Sequence, residues 1–169
     1  MAMGLSLYTP MDLSDLIKSS REYIKVEVEG LTSTGDKLRV EFSCDSIGRM
    51  PNLSWSRVEG AKSYSIISYD PDAPIGIFYH LVAYNIPGNV NSVTYSDLHK
   101  IAILLPNTGG KRDWYPLCPP RGHKPHRYYF IVLALSEELP RNIKDLRGLI
   151  ASMRGKVLAY GWNMGVFSR

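Results

Sequence analysis

Hydrophobic and polar positions in this chain fall mostly into a period of two, the repeat of a strand whose successive side chains point to opposite faces. The longest such run is His126-Arg-Tyr-Tyr-Phe-Ile-Val-Leu-Ala-Leu135. One face carries His126, Tyr128, Phe130, Val132 and Ala134; the other carries Arg127, Tyr129, Ile131, Leu133 and Leu135. Both faces are apolar after the first residues, which predicts a central strand buried on both sides. Residues 64–69 and 79–86 read as further strands, and residues 100–105 as a third. In the 79–86 strand, His80 falls on the face of Val82, Tyr84 and Ile86. Residues 37–42 alternate Leu38, Val40 and Phe42 with charged neighbours, the pattern of a strand with one buried face. Helical spacing shows in two places. Leu13, Leu16 and Ile17 lie in a short stretch over 12–21, and Ile143, Leu146, Leu149, Ile150, Met153 and Val157 follow Asn142, a candidate cap with Asp145 three residues on. Strands therefore fill the first three quarters and helix the last, a β-rich α+β arrangement. With no internal repeat or low-complexity linker, residues 1–169 are expected to form one domain.

Composition changes this picture little. Of 169 residues, 44% are hydrophobic and 21% charged, values of an ordinary globular domain. A net charge of +4 suits acidic or phosphorylated ligands, but no long Lys/Arg stripe of the kind that tracks nucleic acid is present. The densest basic cluster is Arg121, Lys124 and Arg127, with His123 and His126 between them, at the entry to the long strand. Two cysteines, Cys44 and Cys118, lack zinc-site spacing. Two buried, reduced thiols are expected, with a single bridge between them as the alternative. Residues 1–10 lack the pattern of a secretory leader, and no apolar run is long enough to span a bilayer, so a cytoplasmic protein with no integral membrane segment is expected.

Candidate chemistry gathers at strand ends. Asp70-Pro-Asp72-Ala-Pro74 follows the 64–69 strand, and each proline restricts its predecessor, giving a stiff turn. Its carboxylates could be acceptors for a ligand, but a lone Asp-Pro-Asp is more often the cap of an Asx-type turn. His80 opens one strand and His126 another; a lone strand histidine is more often a hydrogen-bonded core residue. If the three strands are neighbours, Asp70, His80, His126 and Tyr128 converge on one cavity. A long loop over 106–125, carrying Trp114 and Tyr115, leads into the last of them. Neither Gly-x-Ser-x-Gly nor His-Glu-x-x-His occurs, and no cofactor motif is seen. A metal-assisted or acid–base hydrolase using the Asp/His groups is the minor alternative to a binding function.

The order and spacing of Asp70-Pro-Asp-Ala-Pro74, His80-Leu-Val-Ala-Tyr-Asn-Ile-Pro87 and Cys118-Pro-Pro-x-Gly-His-x-x-His126-Arg-Tyr128 resemble the phosphatidylethanolamine-binding protein family, also called Raf-kinase-inhibitor-like. Pro51-x-Leu-Ser-Trp55 and the stretch from Gly155 to Arg169 are similar to its bacterial and archaeal branch. The resemblance implies a large antiparallel sheet packed with a smaller sheet, peripheral and C-terminal helices, and a pocket at strand ends for phosphate, carboxylate or a phospholipid headgroup. It implies Asp70, Asp72, Phe78, His80, Pro119, Pro120, His126 and Tyr128 as ligand-binding residues, none of them catalytic. Phe78 stands where the family usually has tryptophan, so an indole N–H donor is missing there. The loop between Asn107 and Cys118 is shorter than in many bacterial members. The family also implies a regulatory binding protein that inhibits a serine protease or kinase. A homodimer is compatible with the chain on general grounds, symmetric dimers being common. Anion binding is expected to tighten below about pH 6.5, the ordinary histidine pKa.

Overall fold

A computed structural model describes residues 11–18 and 20–169; the leader reading of residues 1–10 falls outside them. The described elements are α1 (Met11–Ile17), β1 (Arg21–Glu22), β2 (Val26–Val28), β3 (Leu53–Trp55), β4 (Ser63–Asp70), β5 (Phe78–Pro87), β6 (Ser92–Val93), α2 (Tyr95–Ile101), β7 (Ile103–Leu104), β8 (His126–Leu135), α3 (Leu146–Met153) and β9 (Val157–Phe167). Six strands form one sheet in the order β1-β9-β8-β4-β5-β7, and β2-β3-β6 form a small antiparallel sheet. The large sheet is mixed rather than wholly antiparallel, because β1 runs parallel to β9.

Strand β8 is central and buried on both sides, as its alternation predicts. Tyr128, Phe130, Val132 and Ala134 pack with Val26, Val28, Leu53 and Trp55 of the small sheet. Tyr129, Ile131, Leu133 and Leu135 pack with Leu13, Leu16 and Ile17 of α1 and with Leu149, Ile150 and Met153 of α3. The molecule is thus layered as small sheet, large sheet and helices, and each fully buried large side chain contributes roughly 1.5–3 kcal/mol. The layers approach closely at Gly161, where a Cβ would lie 1.8 Å from the Ile24 carbonyl oxygen.

Several expectations are corrected. Residues 37–42 form no strand: Lys37 makes a single bridge to Val166, and Val40–Phe42 turn as a 3-10 helix. Leu38 and Phe42 are buried, but Val40 is 55% exposed, so the apparent alternation arises from a turn. The 100–105 strand shrinks to Ile103–Leu104, because Thr94 and Asp97 form a capping box that starts α2 and carries helix through Ile101. Asp145, not Asn142, caps α3, its side chain accepting from the Gly148 N–H. The chain then leaves helix: Val157 begins the eleven-residue β9 instead of extending the apolar stripe.

The face assigned to His80 is also corrected. On β5, Ser68 pairs with Leu81 and Tyr69 with Tyr79, so His80 is an extra residue at a bulge. A second bulge, where Asn85 takes a φ of 57°, returns Ile86 to the face of Leu81 and Ala83. Val82 and Tyr84 pack on the helix side, while His80 turns towards Trp114 and Tyr128 on the other. Finally, Cys44 and Cys118 form a disulfide with a Cα separation of 5.4 Å, so the expected pair of reduced thiols is overturned. A backbone bond from Cys44 N–H to the Leu117 carbonyl, 2.8 Å long, brings the two segments together.

Candidate functional site: a buried Asp–His pocket at the strand ends

Antiparallel pairing places the last residue of β4 beside the first residues of β5 and β8. Asp70 pairs with Phe78, and Tyr69 with Tyr129, so Asp70, His80, His126 and Tyr128 converge at one end of the sheet. They line a cavity of about 290 Å³ together with Phe78, Pro119 and Pro120. Of the eight residues expected there, Asp72 alone lies outside the lining. Its carboxylate accepts from the Arg127 backbone N–H at 2.9 Å, from Nε at 2.8 Å and from Nη2 at 2.5 Å, which ties the Asp-Pro-Asp turn to β8. The guanidinium holds the Asp72 pKa below the usual carboxylate value. Of the two carboxylates, one therefore faces the cavity and one pins its frame.

Asp70 is only 3% exposed. Its Oδ2 accepts from His126 Nδ1 at 2.7 Å, and its Oδ1 accepts from the Asp72 backbone N–H at 2.7 Å. Burial raises the Asp70 pKa, and the bond from His126 partly opposes the rise. His80 is equally buried, and its Nδ1 lies 2.7 Å from the Tyr115 carbonyl oxygen. A carbonyl can only accept, so Nδ1 carries the proton and Nε2 is left as a bare acceptor. Burial lowers the His80 pKa to about 4, so the ring is neutral near pH 7. Burial also raises the Tyr128 pKa, which keeps its phenol protonated as a donor. The cavity thus presents acceptors at Asp70 and His80 and a donor at Tyr128.

The walls are apolar and partly covalent in origin. Phe78 stacks edge-on against Tyr115, with centroids 4.8 Å apart, and lies 4.8 Å from the His80 ring. The Tyr115 backbone N–H donates to the His80 carbonyl at 2.9 Å, reciprocating the ring bond and clamping the 106–125 loop over β5. Cys118 lines the cavity directly before Pro119 and Pro120, so the disulfide anchors that wall. Ala73, Pro74, Ile75, Tyr115 and Cys118 complete the lining and were not expected as site residues. For Tyr115 the sequence held one clue, an aromatic residue in a loop otherwise rich in glycine, proline and charge.

Residues 31–168 match the family model described as phosphatidylethanolamine-binding protein. The chain belongs to the phosphatidylethanolamine-binding protein family. It is 37% identical over 146 residues to a UPF0098 protein of Aquifex aeolicus, covering 80% of this chain and 83% of that one. A crystal structure of a putative family homolog from Chlamydia trachomatis, CT736, superposes with a TM-score of 0.79 at 29% identity, over 88% of this chain and 99% of that one. The structure of E. coli YbcL, described as a new member of the mammalian family, gives a TM-score of 0.76 at 27% identity, over 86% and 98% of the two chains. A carboxypeptidase Y inhibitor solved with its cognate proteinase shares the fold alone, at 16% identity and a TM-score of 0.51, over 96% of this chain and 98% of that one. Family membership and the sheet-rich fold thus agree with the resemblance in the motifs. Among the described residues, no helix is long and apolar enough to cross a membrane.

Proposed function

We propose that the protein is a non-enzymatic binding protein, a single domain over residues 1–169, whose pocket takes a protonated phosphate, a carboxylic acid or a phosphorylated headgroup. The observation that carries this reading is the His80 tautomer. With Nδ1 donated to the Tyr115 carbonyl and the ring held neutral, His80 offers the ligand an acceptor, as does Asp70. A fully ionised anion would face lone pairs there; a ligand carrying an O–H or an ammonium would not. Tyr128 then supplies a donor to an anionic oxygen. The expected tightening at low pH persists with a different origin. It cannot come from His80, whose pKa is about 4. It comes from the ligand: a phosphate monoester dianion takes up a proton near pH 6, and inorganic phosphate does so at somewhat higher pH.

Calorimetry with inorganic phosphate, phosphoethanolamine and sulfate at about pH 5.5 and about pH 8 brackets that ionisation. Phosphate should gain affinity at the lower pH and sulfate, which has no proton to give, should stay weak. Equal affinities for phosphate and sulfate at both values would reject the acceptor reading. Asp70→Asn and His80→Ala should each lose about tenfold or more for phosphate, the worth of one hydrogen bond to a charged group.

The bound group is best placed to regulate a partner, and inhibition of a serine protease or kinase is the concrete form. The distant inhibitor with the same fold supports that form, as do Ile47, Ile75 and Ile77, exposed apolar side chains on surface turns. Titration of chymotrypsin-like, elastase-like and carboxypeptidase activities, and of a kinase panel, tests it; no inhibition at micromolar protein leaves only the pocket function. The disulfide bears on the compartment. It weighs against an ordinary reducing cytosol and fits an oxidising compartment or the disulfide-bearing cytosol of a hyperthermophile.

A further inference from the structure

We infer that His123 and His126 form a binding site for a late first-row divalent cation of the imidazole-seeking class, Zn²⁺ or Cu²⁺, on the outer side of the pocket wall. His123 Nδ1 and His126 Nε2 face one another at 3.3 Å. As a hydrogen bond between the two rings the contact is long and weak. It matches the roughly 3.3–3.4 Å between two nitrogens each about 2.0–2.1 Å from one tetrahedral zinc ion. The far nitrogen of His126, Nδ1, donates to Asp70 Oδ2 at 2.7 Å. A carboxylate fixing the tautomer and orientation of a histidine whose other nitrogen is free to ligate is the arrangement that supports metal-bound imidazoles.

The loop presets both rings. His126 is locked at the start of β8 opposite Phe167, and the Arg127 backbone beside it is bonded to Asp72. The His123 backbone N–H donates to the Pro120 carbonyl at 3.2 Å, and Gly122 takes the left-handed φ of 85° that the turn needs. His126 is buried while His123 is exposed, so a cation arriving from solvent reaches the pair on its exposed side. No cluster of three or more His, Cys, Asp or Glu ligands occurs among the described residues. The protein therefore supplies two nitrogens, and solvent or an anion supplies the rest. Space for them exists in a cavity of about 330 Å³ bounded by Asp72, His123, Lys124, Pro125, His126 and Arg127. Arg127 is already paired with Asp72, which leaves Lys124 as the cation beside the two nitrogens.

Calorimetry of the tag-free full chain with zinc chloride, and with copper sulfate, should give one metal ion per chain. His123→Ala changes an exposed loop residue and should abolish the site; His99→Ala, a surface histidine on α2, should not. Asp70→Asn should weaken the metal about 10- to 100-fold, the usual effect of altering such an outer partner. Electron paramagnetic resonance of the Cu²⁺ form should show two imidazole nitrogens in the wild type. Metal affinity unchanged in His123→Ala, loss in His99→Ala, or a spectrum with fewer than two imidazole nitrogens would overturn the assignment. None of these readings depends on whether the pocket itself holds phosphate.

Discussion

Two charged regions of this molecule are built on opposite terms. Around the 3-10 turn, Glu29 and Glu41 meet Arg49, and Arg39 joins both, with Arg49 Nη2 at 2.6 Å from Glu29 and 2.7 Å from Glu41. The guanidinium drives the Glu29 pKa down to about 2, and both arginines lie over the Phe42 ring. Every charge there sits in the state it prefers. At the pocket, burial pushes Asp70 and His80 the other way, one towards its neutral acid and the other towards its neutral base. The first region stabilises a turn. The second holds groups against their solution preference, which makes it the candidate functional site.

The strongest way to break the contrast is to cut what joins its halves. Cys44 lies three residues beyond Glu41 and Cys118 lines the pocket, so the disulfide ties the two regions across a separation of 74 residues and should stabilise the fold by about 4 kcal/mol. Reduction should lower the urea midpoint accordingly and loosen phosphate binding, whereas equal stability of oxidised and reduced protein would contradict the anchoring role.

Acid comes next. His80 has a folded pKa of about 4 against an ordinary 6.5, so the unfolded chain takes the proton first. Its contribution is whole above about pH 6.5 and drains away as pH falls towards about 4, a loss on the order of 3 kcal/mol. His80→Asn should flatten that limb of a stability–pH curve. Asp70 runs the opposite way: with a raised pKa, its ionisation costs stability as pH rises through it, so acid relieves part of the strain. At the charged turn the sign reverses again. Glu29 contributes above about pH 4.5 and loses its effect as pH falls to about 2, so Glu29→Gln should cost about 1 kcal/mol or less at neutral pH, because water screens the pair. A larger cost there than at His80 would invert the comparison.

Legibility in the sequence followed the length of the pattern. Strand β8 offers ten residues of alternation, and both of its faces pack as read. The convergence of Asp70, His80, His126 and Tyr128 was legible because rigid turns mark the ends of three long strands. Strands β1, β2, β6 and β7 have two or three residues, too few to show any period. Strand β9 was hidden by Gly161 and Gly165, which leave gaps in its alternation where Ile24, Leu31 and Leu38 press close. The two bulges of β5 leave no mark in composition, yet they decide where His80 points. Pairing of Cys44 with Cys118 follows from the approach of two distant segments, which residue spacing does not contain.

Among the described residues the large sheet is bounded by β1 and β7, each only two residues long, although its inner strands have eight to eleven. An open strand edge is a template for runaway pairing with other chains, and very short borders deny it the length to start. A second copy of this protein gains little by pairing with either border strand, and a face or a loop is the better place for it to dock. The architecture that exposes a cavity at the strand ends leaves the flanks of the same sheet poor seeds for aggregation.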